Sequence, residues 1–278
     1  MEQKPTKKQH YLPRYRIKHF LNADHKLRIY SNGLNLNSRD RITGKNDDFF
    51  AISNDLYERD DIEWGEYENS IETNLLARQI EPIDARTIDK IIKRVENRQC
   101  MSVDNVQWLG QYALRMLYRS PWYIAEAKKE FKNAKEYYEF IKYLQTDKHP
   151  NLDDQQWKIL KFELGIYSCG TKILYNPRKN FILPDAGLGL LVSSPAIIII
   201  TALSPSICMI TSKGPHFKLM RESGTIQTAT VNQIRMINNI LFCNSLKEIA
   251  SQNELDKNYL EEMKRVIKKV KRNSIENY

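Results

Sequence analysis

Apolar side chains recur at helical spacing through the middle part of the chain. Positions i, i+3, i+4 and i+7 of residues 84–96 are apolar, which predicts a helix there, with Ile88, Ile91, Ile92 and Val95 on its buried face. Ser102 has the side chain of a helix N-cap, and the following helix should end at the Ser-Pro pair of residues 120–121. Further helices are expected over residues 62–80, 122–144 and 155–168.

Strand patterns lie on both sides of this helical block. The segment KLRIYS alternates between polar and apolar residues and predicts a short strand, and DFFAI is a candidate for another. After Gly170 the apolar runs become short and are separated by Asn-Pro, Pro-Asp, Ser-Pro and Gly-Pro pairs. The runs KILYN, NFIL, LGLLV, AIIIIT and ICMIT are therefore predicted to be successive strands.

The order of these elements predicts an α+β fold in a single domain over residues 1–278. Helical periodicity returns after Gly224, and a basic helix follows from about residue 255. The order also allows the N-terminal strands to join the later sheet. The predicted parts are an N-terminal segment at 10–30, the helical block at 62–168, a strand block at 171–212 and C-terminal helices at 228–272.

One uncharged stretch, residues 186–212, is long enough to cross a bilayer. Pro195 and Pro205 interrupt it, and residues 197–200 are all isoleucine, so buried strands fit it better than one helix. The charged N-terminus has no apolar core and is not a signal peptide. Four cysteines without ligand spacing fit buried free thiols in a reducing compartment. We expect a soluble cytoplasmic protein, with a membrane-active toxin as a minor alternative.

The charge of the chain favours an anionic partner. Its formal net charge is +9. Residues 1–30 hold eight basic and two acidic side chains, a net +6, and residues 257–272 are also rich in Lys and Arg. Residues 47–68 between them are acidic. Such a distribution suits nucleic acid bound at one face, but it suits pairing between the two patches or ordinary solvated surfaces equally well.

Several short motifs, taken in order, resemble one known family. The chain has His10-Tyr11-Leu12-Pro13 followed by an arginine, aromatics and a short strand, and this opening resembles the HxxP motif of the bacterial domain of unknown function 4238. The segments SIETNLLARQIEPI, YRSPW, FILPDAG, LSPSICMI and NQIRMINNILFCNSLKEIAS are similar to later motifs of that family. The resemblance picks out Glu72, Arg119, Pro121, Asp185 and Asn238.

The family resemblance implies a cellular setting rather than a reaction. Members of the family are bacterial, mobile-element and phage-associated proteins, some in anti-phage defence settings, which implies a defence or toxin-like effector. Nucleic acid is a frequent target of such effectors. The chain departs from the family pattern at Pro184, where a serine is usual, and the proline after Asp185 is absent.

His10 is the strongest candidate for chemistry. A histidine exchanges a proton near neutral pH and is suited to acid–base catalysis of phosphodiester cleavage, with Arg14 or Arg119 holding the phosphate. The alternative is a histidine that bonds a backbone carbonyl and fixes the turn before Pro13. The mixed aromatic and basic segment around it also suits clamping of single-stranded nucleic acid without chemistry.

The remaining candidates have equally plain structural alternatives. Glu72 and Asp185 would supply a proton acceptor or a ligand for a divalent metal, but Glu72 would also pair with Arg119, and Asp185 before Gly187 fits a turn. Asn238 either orients a partner or bonds backbone. The Pro-Asp pair lacks the following acidic-x-Lys of metal-dependent nucleases, and the histidines have no zinc-ligand spacing.

The sequence therefore favours an effector acting on RNA or DNA, with a His10-centred nuclease as its sharpest form. A non-catalytic sensor or scaffold that binds phage protein or nucleic acid is the alternative. The enzyme hypothesis requires His10, Arg119 and Asp185 to converge in one open pocket.

Overall fold

The protein is described here from a computed structural model. The part of the chain that the structure describes comprises residues 9–10, 12–33, 41–44, 51–52, 70–120, 122–124, 129, 131, 133–146, 168–193, 196–214 and 216–275. The acidic segment 47–68 and the predicted helix 155–168 lie almost wholly outside it.

Helices dominate the first part of the chain that the structure describes. Helix α1, Arg14–His19, follows Pro13 directly. A π-helix, Ile71–Ile80, runs without a break into α2, Glu81–Glu96, so the predicted helix boundary at residue 80 is a change of helix type. Helix α3 is Val103–Tyr118 and helix α4 is Ala134–Thr146.

The periodic pattern predicted α2 and α3 correctly. The four apolar residues of α2 from Ile88 to Val95 are all buried. The Ser102 hydroxyl accepts a hydrogen bond from the Asn105 amide at 3.3 Å, which caps the otherwise unpaired first turn of α3. The apolar face of α2 is therefore buried as predicted, and α3 begins at the predicted N-cap.

The larger sheet contains four of the five strands predicted after Gly170, whereas the end of the run NFIL joins the second sheet. The strands of the larger sheet are β5 Ser168–Tyr175, β7 Gly189–Ser193, β8 Ala196–Ser204, β9 Ile207–Lys213 and β10 Ile226–Thr228. Their order is β10-β5-β9-β8-β7, with β10 parallel to β5 and every other pair antiparallel. The described residues of the uncharged stretch lie in or beside this sheet. Among the described residues no helix has the length and apolar character needed to cross a membrane.

A second sheet joins the two ends of the chain. Strand β2, Lys26–Ser31, has the predicted bounds and lies between β3, Arg41–Gly44, and β11, Glu248–Ser251. Strand β6, Leu183–Pro184, pairs with the far side of β11. Strand β2 therefore pairs with β11, from the C-terminal part of the chain, in a sheet separate from the larger one. A two-stranded ladder pairs β1, Gln9–His10, with β4, Ala51–Ile52.

The C-terminal helices pack on both sheets. They are the short α5, Phe217–Arg221, followed by α6, Val231–Cys243, and α7, Lys257–Ile275. The prediction of helices throughout 228–272 is wrong at β11, where four residues pair between β2 and β6. A segment this short has no periodicity of its own, and its conformation is set by its neighbours.

One buried apolar cluster connects α1, α2, α3 and both sheets to α6 and α7. A smaller cluster packs the π-helix against α4 through Leu75, Leu76, Tyr137 and Ile141. Of the cysteines whose side chains are described, Cys208 is buried, Cys243 is partly buried and Cys100 is exposed, so the expectation of buried thiols is wrong for Cys100.

Candidate functional site: a polar pocket beside Asn238

Two predicted site residues lie where only the backbone is described. His10 is in β1 and is paired with Ala51 of β4. Glu72 lies in the first turn of the π-helix. The side chains of both are outside the described part of the structure, and their proposed roles stay predictions.

The arginines after Pro13 divide between surface and core. Arg14, the predicted phosphate ligand, is exposed. Arg16 is fully buried, and its guanidinium donates to the carbonyls of Gly187 at 2.7 Å and Ala202 at 2.5 Å. Arg16 thereby connects α1 to the turn after β6 and to β8, and sequence patterning did not single it out.

Arg119 is a buried member of an ion pair. Its side chain is 2% exposed and donates to the Glu81 carboxylate at 2.8 Å, so a glutamate of α2 holds the arginine that was predicted to bind phosphate. One turn earlier, Arg115 donates to Asp84 at 2.6 Å. These two contacts pair the start of α2 with the end of α3.

A tyrosine pair extends this buried polar cluster toward α1. The Tyr15 hydroxyl lies 3.1 Å from that of Tyr112 and 3.5 Å from the Asp84 carboxylate. Burial raises the pKa of both tyrosines and, against the attraction of Arg115, raises the pKa of Asp84. The cluster is enclosed, which suits a structural role.

Asp185 is held by backbone amides. Its carboxylate accepts from Leu246 and Lys247 at 2.7 Å and from Glu248 at 3.0 Å. Burial raises its pKa, although these hydrogen bonds oppose the shift. Gly187, at φ +81°, completes the turn that sequence reasoning offered as the alternative for Asp185. These contacts attach the turn to the chain entering β11.

Asn238 fixes the loop that follows β5. Its side-chain oxygen accepts from the Ile182 amide at 3.3 Å, and its nitrogen donates to the Asn180 carbonyl at 2.8 Å. Asn253 donates to the carbonyls of Arg178 and Lys179, both at 3.1 Å. Two asparagines from different elements thus hold one loop in place.

This loop forms a wall of a pocket of about 590 Å³, called the polar pocket below. The pocket lies where the ends of β5, β10 and β11 meet the first turns of α6 and α7. Asn238 lines it, whereas Arg14, Arg119 and Asp185 lie outside its described lining. The lining residues used below are Asn176, Arg178, Thr228, Val231, Arg235, Ser251 and Tyr259.

Buried polar groups of the pocket lack a hydrogen-bond partner among the described residues. They include the side-chain nitrogen of Asn176, a residue 1% exposed, and the hydroxyl of Ser251, a residue 0% exposed. A buried donor without an acceptor is costly, so both groups favour a ligand that supplies acceptors. Tyr259 adds a half-buried ring, and burial raises its pKa to about 12, although the Asn238 amide opposes the shift.

The basic and acidic side chains of the pocket lining differ in their contacts with the rest of the protein. Arg178 and Arg235 are exposed. Of the two acidic lining residues, Glu254 lies 3.9 Å from Arg28, and Asp256 accepts from the Tyr259 amide at 3.0 Å as the cap of α7. The carboxylates therefore have intramolecular partners, whereas neither guanidinium forms an ion pair within the described residues.

The N-terminus of α6 also points to an anionic ligand. Thr230 and Gln233 form a reciprocal capping box, a neutral arrangement that leaves the positive end of the helix dipole uncompensated by charge. Phosphate groups bind at such ends. This feature acts together with the unpaired Asn176 and Ser251 groups and with Arg178.

Of the lining residues, Asn238 was predicted from the sequence to be a site residue, and the others were not. The Asn-Pro pair at 176–177 was recognised only as a turn, and Ser251 lies in the strand that was predicted to be helix. Within the described residues, no three His, Cys, Asp or Glu side chains are grouped to share a metal ion.

Comparison with known proteins gives a family without a reaction. A family model described as a protein of unknown function (DUF4238) matches residues 8–254. No curated protein and no solved structure matches the chain.

Proposed function

Because the chain belongs to the DUF4238 family, whose description assigns no reaction, we propose from its own residues that it binds nucleic acid and holds one phosphate-bearing unit of the strand in the polar pocket. The observation that carries this proposal is the presence of two buried polar groups without partners, on Asn176 and Ser251, in a pocket flanked by the exposed Arg178 and Arg235.

The size of the pocket supports a ligand of this kind. Small-molecule sites in proteins have volumes of roughly 300–1,000 Å³, and the polar pocket has about 590 Å³. A single nucleotide fits within it, whereas a duplex does not. A chain with net charge +9 would also attract a polyanion from a distance.

The chemistry of the lining supports the same ligand class. Phosphate oxygens are strong acceptors, and Arg178, Arg235 and the N-terminus of α6 offer donors and positive charge to them. Sugar and base edges offer further acceptors to Asn176 and Ser251. Tyr259 adds an aromatic ring beside Arg235 to the same lining.

The cellular role that we propose is a defence or toxin-like effector, with nucleic acid as its target. In its nuclease form, His10 acts as acid or base, Arg14 and Arg119 bind phosphate, and Glu72 or Asp185 supports them. The buried contacts of Arg119 and Asp185 favour recognition over cleavage. A divalent metal belongs to the nuclease form alone.

Binding is tested by fluorescence anisotropy with labelled single-stranded RNA and DNA. Arg178→Gln and Arg235→Gln should each weaken binding and lower the slope of log K against log salt by about one, because each removes one phosphate contact. Lys268→Gln is the matched control, since this exposed lysine lies about 14 Å along α7 from Tyr259.

The same protein is incubated with both nucleic acids in magnesium and in EDTA. Cleavage that His10→Ala abolishes supports the nuclease form, and binding without cleavage supports the sensor form. If the wild type binds neither RNA nor DNA, the proposed function is wrong and a protein partner takes its place. Equal binding by the pocket variants and the control would contradict the pocket as the site.

A further inference from the structure

Two arginine–tyrosine stacks flank the polar pocket. The guanidinium carbon of Arg98 lies 4.1 Å from the centroid of the Tyr175 ring. That of Arg235 lies 5.7 Å from the centroid of the Tyr259 ring. Arg235 and Tyr259 line the pocket directly. Tyr175 immediately precedes Asn176 of the lining.

The Arg98 side chain is held against the pocket wall. It donates to the Thr228 hydroxyl at 3.2 Å, and Thr228 is a lining residue. Arg98 follows the end of α2 with φ at +58°, a left-handed conformation that is unfavourable for a residue with a Cβ. The backbone thus places this arginine on Tyr175 at some cost in conformational energy.

Both stacks leave one flat surface open. A guanidinium is planar and has two faces. The Tyr175 ring, 4.1 Å from the guanidinium carbon, covers one face of Arg98, and the Tyr259 ring lies on one side of Arg235 at the longer distance of 5.7 Å. Arg98 and Arg235 are exposed, while Tyr175 and Tyr259 are half-buried beneath them. The outer face of each guanidinium is therefore available to a second flat, electron-rich group.

We infer that the two stacks are platforms for unpaired bases, so that the ligand is single-stranded nucleic acid with bases stacked on Arg98 and Arg235. This inference rests on the proposed binding of nucleic acid and names the substrate class. In a duplex the faces of the bases are already stacked on one another, whereas in a single strand they are free to stack on guanidinium or aromatic groups.

Arg-to-Lys substitution separates stacking from charge, because lysine keeps the charge and lacks the planar group. Arg98→Lys and Arg235→Lys should each weaken binding of a twelve-nucleotide single strand by about fivefold or more, given the usual contribution of one stacked base. The salt slope should stay unchanged, since no charge is lost. Arg86→Lys, at an exposed position on α2, the helix that Arg98 follows, is the matched control.

Each variant is measured against the single strand and against a duplex of the same sequence. The inference predicts a strong preference of the wild type for the single strand and a loss of that preference in the Arg-to-Lys variants. Equal affinity for both forms, with Arg-to-Lys variants indistinguishable from Arg86→Lys, would overturn the inference and leave nucleic-acid binding intact. Failure to bind either form would overturn the proposed function itself.

Discussion

The Asp185 carboxylate accepts three backbone hydrogen bonds from residues 246–248, and its side chain is enclosed by the turn that ends at Gly187. Such an arrangement uses both carboxylate oxygens in joining two segments. The family resemblance picked out Asp185, but no pattern in the sequence indicates which amides surround its carboxylate, because they lie about sixty residues away.

Removal of this carboxylate should therefore affect stability. We expect Asp185→Ala to lower the free energy of unfolding by at least about 2 kcal/mol, since three amides lose a charged acceptor. Urea titration followed by circular dichroism measures this change, and Asp24→Ala, at an exposed position, is the control. A stable Asp185→Ala variant that has lost a nuclease activity would instead favour the catalytic role.

The two arginines of α1 show why residue roles were harder to predict than residue positions. Arg14 and Arg16 have the same chemistry and neighbouring places in the sequence, yet Arg14 is exposed and Arg16 is fully buried. The acceptors of Arg16 are carbonyls of Gly187 and Ala202, which only the folded chain brings near. Periodicity does not reveal such long-range partners.

Among the elements, those with strong patterns of their own were predicted and those defined by neighbours were not. Helices α2 and α3 and the strands from β7 to β9 have long apolar patterns, and α3 also has a serine N-cap. Strands β10 and β11 have three and four residues, and pairing with β5 and β2 determines them. The polar pocket lies at the ends of these two short strands, so its lining could not be assembled from the sequence.

The contact between α1 and α2 should make stability depend on pH. His19 of α1 lies 3.1 Å from Asp89 of α2. Burial is the largest influence on the pKa of His19 and lowers it, and Lys18 and Arg16 act in the same direction. Asp89 and Glu96 favour the charged ring and oppose this shift. The unfolded state then binds the proton more tightly. Stability is therefore retained above about pH 6.5 and falls as pH drops through the lowered pKa.

Urea unfolding between pH 5 and pH 8 measures this effect. His19→Gln should flatten the dependence because it removes the titrating ring. His25→Asn is the control, since His25 is exposed and asparagine tolerates its φ of +57°. A pH dependence that is the same in His19→Gln and in the wild type would contradict the assignment.

At the scale of the whole molecule, the fold brings distant segments together at one polar pocket. Loop 176–180, the end of β10, the start of α6 and the residues from Ser251 to Tyr259 all line it. The α+β class was predictable from the order of patterns, and the structure confirms it. The net charge of the sequence indicated only that a partner should be negatively charged. It did not indicate where the partner binds, because that depends on which arginines already form ion pairs in the folded protein.

A neutral blocking variant tests the central claim most directly. Val231 is 54% exposed and lines the mouth of the polar pocket, and Met236 is 55% exposed on the same helix but outside the described lining. Tryptophan at either surface position should change stability by no more than about 0.5 kcal/mol. The measurement is anisotropy of a labelled single strand with Val231→Trp, Met236→Trp and wild type. We predict that Val231→Trp alone loses binding, and equal affinity in all three proteins would contradict the assignment of nucleic-acid binding to this pocket.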